Sequence, residues 1–185
     1  MNVRPDLRMS KAAFIEWDAG EGQRCELVRG SVVMMPRPSR AHGKIAGNLF
    51  ALLHGTLRTE PFDVIMEFGL DTLPETLRYP DVAVFPKSPN TSSTTGTPVL
   101  LAEVLSPSSV KDDFDKAGEY LRLPSLLCCV VLAQDQPKAW MWSRGSTSGE
   151  FAREAQEIAG VDAIIAVGGL GLKLPMVEIY RGIFD

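Results

Sequence analysis

Apolar positions along the chain change their spacing several times, and each change predicts an element. Ser10 followed by KAAFIEW predicts a short capped helix reaching Trp17. The segment RCELVRGSVVMM, residues 24–35, reads as two strands joined by a tight turn at Arg29-Gly30. Beyond Ser39, a second cap, Ile45, Leu49, Leu52, Leu53 and Leu57 recur at helical spacing and predict a longer helix. FDVIMEFGL (62–70) and RYPDVAVF (78–85) read as strands. PVLLAEVL (98–105) and SLLCCVVLA (125–133) are almost wholly apolar, as strands covered on both faces are. Residues 111–123, between them, are helical in pattern. KAWMWSR and GEFAREA read as a further hairpin, and LPMVEIYRGIF (174–184) as a closing helix with Pro175 in its first turn.

Strands and helices alternate in the middle of the chain while hairpins flank it, which predicts a mixed α/β (α+β) sheet domain. The low-complexity stretch PKSPNTSSTTGTP (86–98) lies between two strand-like runs and reads as a long loop, so residues 1–185 are expected to form a single domain. A hydrophobic share of 45% with 23% charged residues suits a packed core and excludes a disordered chain. No apolar run approaches the roughly 18 residues of a membrane span, and the N-terminus lacks the apolar core of a signal peptide. Three cysteines, Cys25, Cys128 and Cys129, have no metal-binding spacing, so reduced thiols and a cytoplasmic location are expected.

Charge is uneven. Residues 1–60 hold 9 Lys+Arg against 6 Asp+Glu, and residues 61–185 hold 10 against 17, for a net charge of −4. An acidic chain is a poor non-specific binder of nucleic acid, because neutralising phosphates supplies most of that affinity. The basic residues that cluster are Arg37, Arg40 and Lys44.

Glu103 is the most informative residue for chemistry. On a strand from Val99 to Leu105 it shares a face with Val99, Leu101 and Leu105, where a carboxylate must be protonated, paired or bound to a cation. A structural ion pair with an Arg or Lys is an equal alternative. Asp81 follows Pro80, which removes a ladder donor, so the pair marks a strand start or a distortion that aims a carboxylate; a plain turn residue is the competing reading. After Ser106-Pro107-Ser108-Ser109, Asp112, Lys116 and Tyr120 fall on one helical stripe near the end of the Glu103 strand. An Asp–Lys pair at that spacing is ordinarily a solvent-facing salt bridge. Two carboxylates from separate strands with a lysine close by make a hard oxygen site for Mg²⁺ or Mn²⁺. His54 has no support for a role, Cys128-Cys129 reads as core, Trp140 and Trp142 as hairpin packing, and Gly168-Gly169-Leu170-Gly171 lacks the context of a phosphate loop.

The order Glu-Leu-Val-x-Gly (26–30), His42, Tyr-Pro-Asp-Val-Ala-Val (79–84), Glu-Val-Leu-Ser-Pro-Ser (103–108) and Asp112-x-x-x-Lys116-x-x-x-Tyr120 resembles a bacterial family of restriction-endonuclease-like proteins within the PD-(D/E)XK nuclease superfamily. The resemblance runs from about Phe14 to the final Gly-Ile-Phe. It implies a restriction-endonuclease-like mixed β-sheet flanked by helices, with an N-terminal β-hairpin, and a metal-dependent endonuclease cutting DNA. It carries Asp81, Glu103 and the main-chain carbonyl of Val104 over as ligands of Mg²⁺ (or Mn²⁺), and Glu26 as a further acidic residue near the metal. His42 and Lys116 match family positions near the site. DNA and a second copy of the chain in a homodimer are the partners it implies, and the clustered Arg37, Arg40 and Lys44 are expected to meet the DNA; no membrane is expected. The superfamily pattern Glu-x-Lys would put a lysine at 105, where this chain has Leu105, and Lys116 would bring an ammonium to the same place. A degenerate nuclease fold, serving as a nucleic-acid-binding or oligomeric interaction module, is the alternative that Leu105 and the acidic charge favour.

Overall fold

The structure, a computed structural model, describes residues 2–20, 23–89, 92, 94–105, 110–145 and 147–184; of residues 2–6 and 110–113 it describes the backbone alone. The expectations placed on Ser106-Pro107-Ser108-Ser109, on the Asp112 side chain and on Asn90, Thr91 and Ser93 of the low-complexity stretch lie outside the described residues.

The elements run β1 (Asn2–Arg8), α1 (Lys11–Glu16), β2 (Arg24–Val28), β3 (Ser31–Met35), α2 (Arg40–Leu57), β4 (Phe62–Ile65), β5 (Gly69–Asp71), β6 (Leu77–Arg78), β7 (Val82–Pro86), β8 (Thr94–Thr95), β9 (Leu100–Val104), α3 (Val110–Tyr120), β10 (Cys128–Leu132), β11 (Lys138–Ser143), β12 (Gln156–Ala159), β13 (Ile164–Val167), β14 (Leu172–Pro175) and α4 (Met176–Ile179). They make two mixed six-stranded sheets, in the orders β1-β3-β2-β6-β5-β8 and β12-β11-β10-β9-β7-β4, and a β13–β14 ribbon. The fold is mixed α+β, as expected, with the strands divided between two large sheets.

Both expected caps form: the Ser10 hydroxyl accepts from the Ala13 amide and the Ser39 hydroxyl from the His42 amide. The β2–β3 hairpin turns at Arg29 and Gly30, both at positive φ (50° and 80°), as a type I′ turn requires. The run 62–70 is split by Glu67, also at positive φ (51°), so β4 joins one sheet and β5 the other. Two expectations fail. GEFAREA contributes only an isolated bridge at Phe151 to Arg144, and the partner of β11 is β12, further on. The closing helix is a single turn, because Leu172–Pro175 pairs with β13 first and leaves Pro175 at the helix cap.

The second sheet is packed on both faces. Ile45, Leu49 and Leu53 of α2 share a core with Val82, Val84, Leu100, Ala102 and Val130. Ala117 and Tyr120 of α3 share another with Ala83, Leu101, Leu105, Cys129 and Val131. Each fully buried leucine in these layers contributes on the order of 1.5–3 kcal/mol. Leu101 and Leu105 lie on the α3 side, as the alternation predicts for residues sharing a face with Glu103. Val99 instead joins the α2 side, because it precedes the paired strand and the alternation does not reach it. Trp140 and Trp142 pack edge-on against Phe114 of α3, so the partner of their shared face is a helix and not the hairpin expected.

Candidate active site

The stretch from Arg78 to Asp81 carries the chain from the first sheet to the second, since β6 belongs to one and β7 to the other. Pro80 offers no amide to either ladder at the crossing. Arg78 therefore ends a strand of the first sheet, and Asp81 directly precedes a strand of the second. In the antiparallel β7–β9 ladder Val82 pairs with Ala102 and Ala83 with Leu101. Carried one step further, that register sets Asp81 opposite Glu103, where facing side chains are close neighbours.

Asp81 is 7% exposed and Glu103 4%. The Val104 amide donates to Asp81 Oδ2 at 2.8 Å, and His42 Nε2 lies 2.9 Å from Asp81 Oδ1. Tyr120, fully buried on α3, donates its hydroxyl to Glu103 Oε1 at 2.7 Å. One turn earlier, Lys116 Nζ stands 4.0 Å from the same oxygen and 3.1 Å from Glu26 Oε1. Lys116 is 2% exposed, so the solvent-facing salt bridge that its helical spacing suggests does not describe it.

Glu26 reaches this group from β2. Its Oε2 accepts from the Arg78 guanidinium at 2.9 Å, and its Oε1 accepts from the Tyr79 amide at 3.3 Å as well as facing Lys116. Arg78 in turn grips Glu119 of α3 with two nitrogens, at 3.2 and 2.8 Å, and Thr72 donates its hydroxyl to Glu119. A buried charge network thus ties the first sheet to α3 beneath the Asp81–Glu103 pair. Sequence reasoning missed Arg78 and Glu119. The available signal was an arginine at the start of the strand-like run RYPDVAVF, which needs a carboxylate if it is buried.

The two facing carboxyls titrate in opposite directions. Burial, reinforced by the Asp81 and Glu26 charges, pushes Glu103 up to about 8 even though Lys116 and the Tyr120 hydroxyl oppose it. Burial also works against ionised Asp81, but the His42 hydrogen bond and charge, the Val104 amide and Lys116 hold it below the usual carboxylate range. Burial likewise opposes ionisation of Glu119, yet the Arg78 pair holds it below its ordinary value. Cys128 is pushed up to about 12 by burial, which leaves no nucleophile there.

Asp81, Glu103, Val104, Glu26, His42 and Lys116 all line one cavity of about 520 Å³. Among the described residues no group of three His, Cys, Asp or Glu side chains could hold a metal ion. Mg²⁺ asks for only one or two protein carboxylates and completes its shell with water or phosphate oxygens. Asp81 and Glu103 fit that smaller demand: both are hard oxygen donors on the cavity wall, neither pairs with an arginine among the described residues, and Glu103 Oε2 accepts no hydrogen bond among them. Glu26 is placed differently, with one oxygen paired to the Arg78 guanidinium and the other facing Lys116 and the Tyr79 amide. Position 105, where the resemblance sets the departure, holds a leucine packed with Leu101 and Tyr120. Of the basic cluster, Arg37 lies at the cavity, Arg40 and Lys44 are exposed, and Lys44 donates to the Gly182 carbonyl at 2.6 Å. Among the described residues no helix is long and apolar enough to cross a membrane.

A family model described as "Uma2: Putative restriction endonuclease" matches residues 12–175. Among solved structures, the chain resembles one titled as a putative nuclease belonging to DUF820 from Anabaena variabilis ATCC 29413, with a TM-score of 0.77 at 16% identity, covering 93% of this chain and 97% of that one. At that identity the likeness is one of fold. No curated protein sequence gives a match.

Proposed function

Because the chain belongs to the Uma2 family, we propose that it is a Mg²⁺- or Mn²⁺-dependent endonuclease that hydrolyses DNA phosphodiester bonds at the Asp81–Glu103 pair. The observation that carries this reading is the opposition of those two carboxylates across β7 and β9, on the wall of a cavity, with an ammonium beside them and no guanidinium paired to either among the described residues. Asp81, Glu103 and the main-chain carbonyl of Val104 would hold the ion. When bound, such an ion supplies a counter-charge for the phosphate and acidifies water.

The remaining work falls to the chain's own groups. His42 and the Val104 amide each fix one oxygen of Asp81, so its orientation is set before substrate arrives. Tyr120 does the same for Glu103. Lys116 keeps a positive charge at the cavity floor, where it opposes the negative charge that develops on a phosphate under attack. Glu26, itself anchored by Arg78, positions that ammonium. Arg37 and Arg40 would meet the phosphate backbone, with Lys44 already committed to Gly182.

The test is direct. Purified protein with Mg²⁺ or Mn²⁺ should cut DNA, and Asp81→Ala and Glu103→Ala should each abolish cutting. If no DNA form is cut and calorimetry detects no Mn²⁺ binding that depends on Glu103, the reading fails, and a degenerate nucleic-acid-binding or oligomeric module takes its place.

A further inference from the structure

The cavity has a second character besides its acidic floor. Ile15 and Trp17 from the end of α1, Tyr79, Met35 at the end of β3, and Pro36 and Pro38 between β3 and α2 supply much of its wall. Ile15 is 42% exposed, a large apolar side chain left in solvent beside buried carboxylates. Trp17 is half-buried and leans on Phe14 with ring centroids 5.9 Å apart, so its ring has a fixed support. The two prolines hold their stretch of backbone in a narrow range of φ.

Two physical limits decide what this wall receives. A space of about 520 Å³ is in the range of small-ligand sites and accommodates one or two nucleotide units. Asp81 and Glu103, at 7% and 4% exposure, are therefore reached by a strand that enters the cavity. The second limit is charge. With a net charge of −4, the chain has little of the electrostatic attraction on which duplex binding depends. Single-strand binders add to their phosphate contacts by stacking bases on aromatic side chains, which a paired duplex does not offer.

We propose that this wall is a base-stacking subsite and that the substrate is an unpaired DNA strand, with a base laid against Trp17 and Tyr79 while its phosphate is delivered to the floor. The inference rests on the nuclease reading of the same floor and adds the form of the substrate. Arg37, exposed at the cavity, meets a flanking phosphate.

Binding is measured separately from cleavage, by fluorescence anisotropy of labelled oligonucleotides in EDTA. A single-stranded oligonucleotide should bind at least about tenfold more tightly than a hairpin duplex of the same composition, and Trp17→Ala should weaken it about five- to hundredfold. Single-stranded DNA should also quench tryptophan fluorescence in the native chain and not in Trp17→Phe, where Trp140 and Trp142 remain. Because Trp17→Ala removes a ring that packs on Phe14, Ile15→Glu, at an exposed position, supplies a second variant: it should weaken single-strand binding with an unchanged melting temperature. Equal affinity for the two DNA forms, or indifference to both variants, overturns the subsite and leaves the nuclease reading standing. Single-strand binding that depends on Trp17, in a protein that cuts nothing, supports the subsite and sinks the nuclease reading.

Discussion

Asp81 Oδ2 accepts a 2.8 Å hydrogen bond from the amide of Val104, the residue directly after Glu103, so the carboxylate of one strand is fixed by the backbone carrying the other. An asparagine at 81 can keep that bond through its side-chain oxygen, while the charge is lost and an NH2 group faces His42 in place of Oδ1. Asp81→Asn should therefore retain the melting temperature to within a few degrees and lose at least about a hundredfold in DNA cleavage, if that charge supplies the several kcal/mol expected of an ion-holding group. Activity near that of the native chain in single-turnover assays would remove Asp81 from the reaction.

Glu103 sets a pH dependence whose sign follows from its raised titration. An unfolded chain loses this proton near the ordinary 4.5, while the folded chain keeps it to about 8. Between those values the folded state binds more protons, so stability falls as pH rises through the window. Below it both states are protonated and the penalty is absent; above it the penalty is complete. Asp81 works in the reverse sense and lower down, its contribution present above its ordinary 3.8 and lost as pH falls through its depressed folded value. Urea denaturation should show Glu103→Gln gaining on the native chain from pH 4.5 to 8 and holding level beyond. A stability difference that does not vary with pH would contradict this assignment. Mn²⁺ affinity should rise across the same window, because the ion must displace the proton.

Tyr120 offers a finer probe of the same group. Its hydroxyl favours ionised Glu103, so Tyr120→Phe should move the Glu103 transition to higher pH. The lost hydrogen bond should cost about 1–3 kcal/mol. Unmoved pH profiles of stability and Mn²⁺ binding would mean that the hydroxyl does not act on the carboxyl.

The two arginine–glutamate pairs that join Glu26 and Glu67 to the rest should differ sharply in worth. Arg78 is 7% exposed and serves both Glu26 and Glu119, so Arg78→Met leaves Glu119 without its cation and Glu26 with Lys116 alone, and should cost about 3–5 kcal/mol. The Arg24–Glu67 pair is shorter, at 2.6 Å, but its side chains are 33% and 50% exposed, and Arg24→Met should cost about 0–1 kcal/mol. Denaturant midpoints compare them. Equal losses would show that the network beneath the site is no more than surface pairing.

How much of this was readable beforehand divides by range. Features set by neighbours in sequence were legible: the Ser10 and Ser39 caps, the Arg29-Gly30 turn, and the α3 spacing that brings Lys116 and Tyr120 to one side of β9. The anomalies of Glu103 and Asp81 were visible as carboxylates in apolar strands. Long-range choices were not. Whether β11 pairs with GEFAREA or with Gln156–Ala159 depends on a register that both segments could offer. Pro175 can open a helix or end a strand, and β13 decided it. Arg78 meets Glu119 across 41 positions and Glu26 across 52, distances over which sequence marks a need for a partner without naming one.

The proposal that Lys116 on α3 serves where the Glu-x-Lys pattern sets a strand lysine leads to the last prediction. Leu105 shares the α3 side of the sheet with Glu103 and is 7% exposed, while Lys116 reaches within 4.0 Å of the Glu103 carboxylate from above. If the reaction needs an ammonium near Glu103, its point of attachment is secondary. Lys116→Met should lower cleavage by about 10²–10³-fold, the scale of one lost electrostatic contact to a developing charge. Glu26 keeps its Arg78 pair in that variant, which favours a folded product whose melting curve can be checked. Leu105→Lys added to Lys116→Met should then recover part of the rate, since a lysine two residues beyond Glu103 emerges on the same face of β9. Recovery would show the two positions to be alternative attachments for one charge. A folded double variant no faster than Lys116→Met alone would mean that Lys116 acts through its contact with Glu26, and that the ammonium is structural.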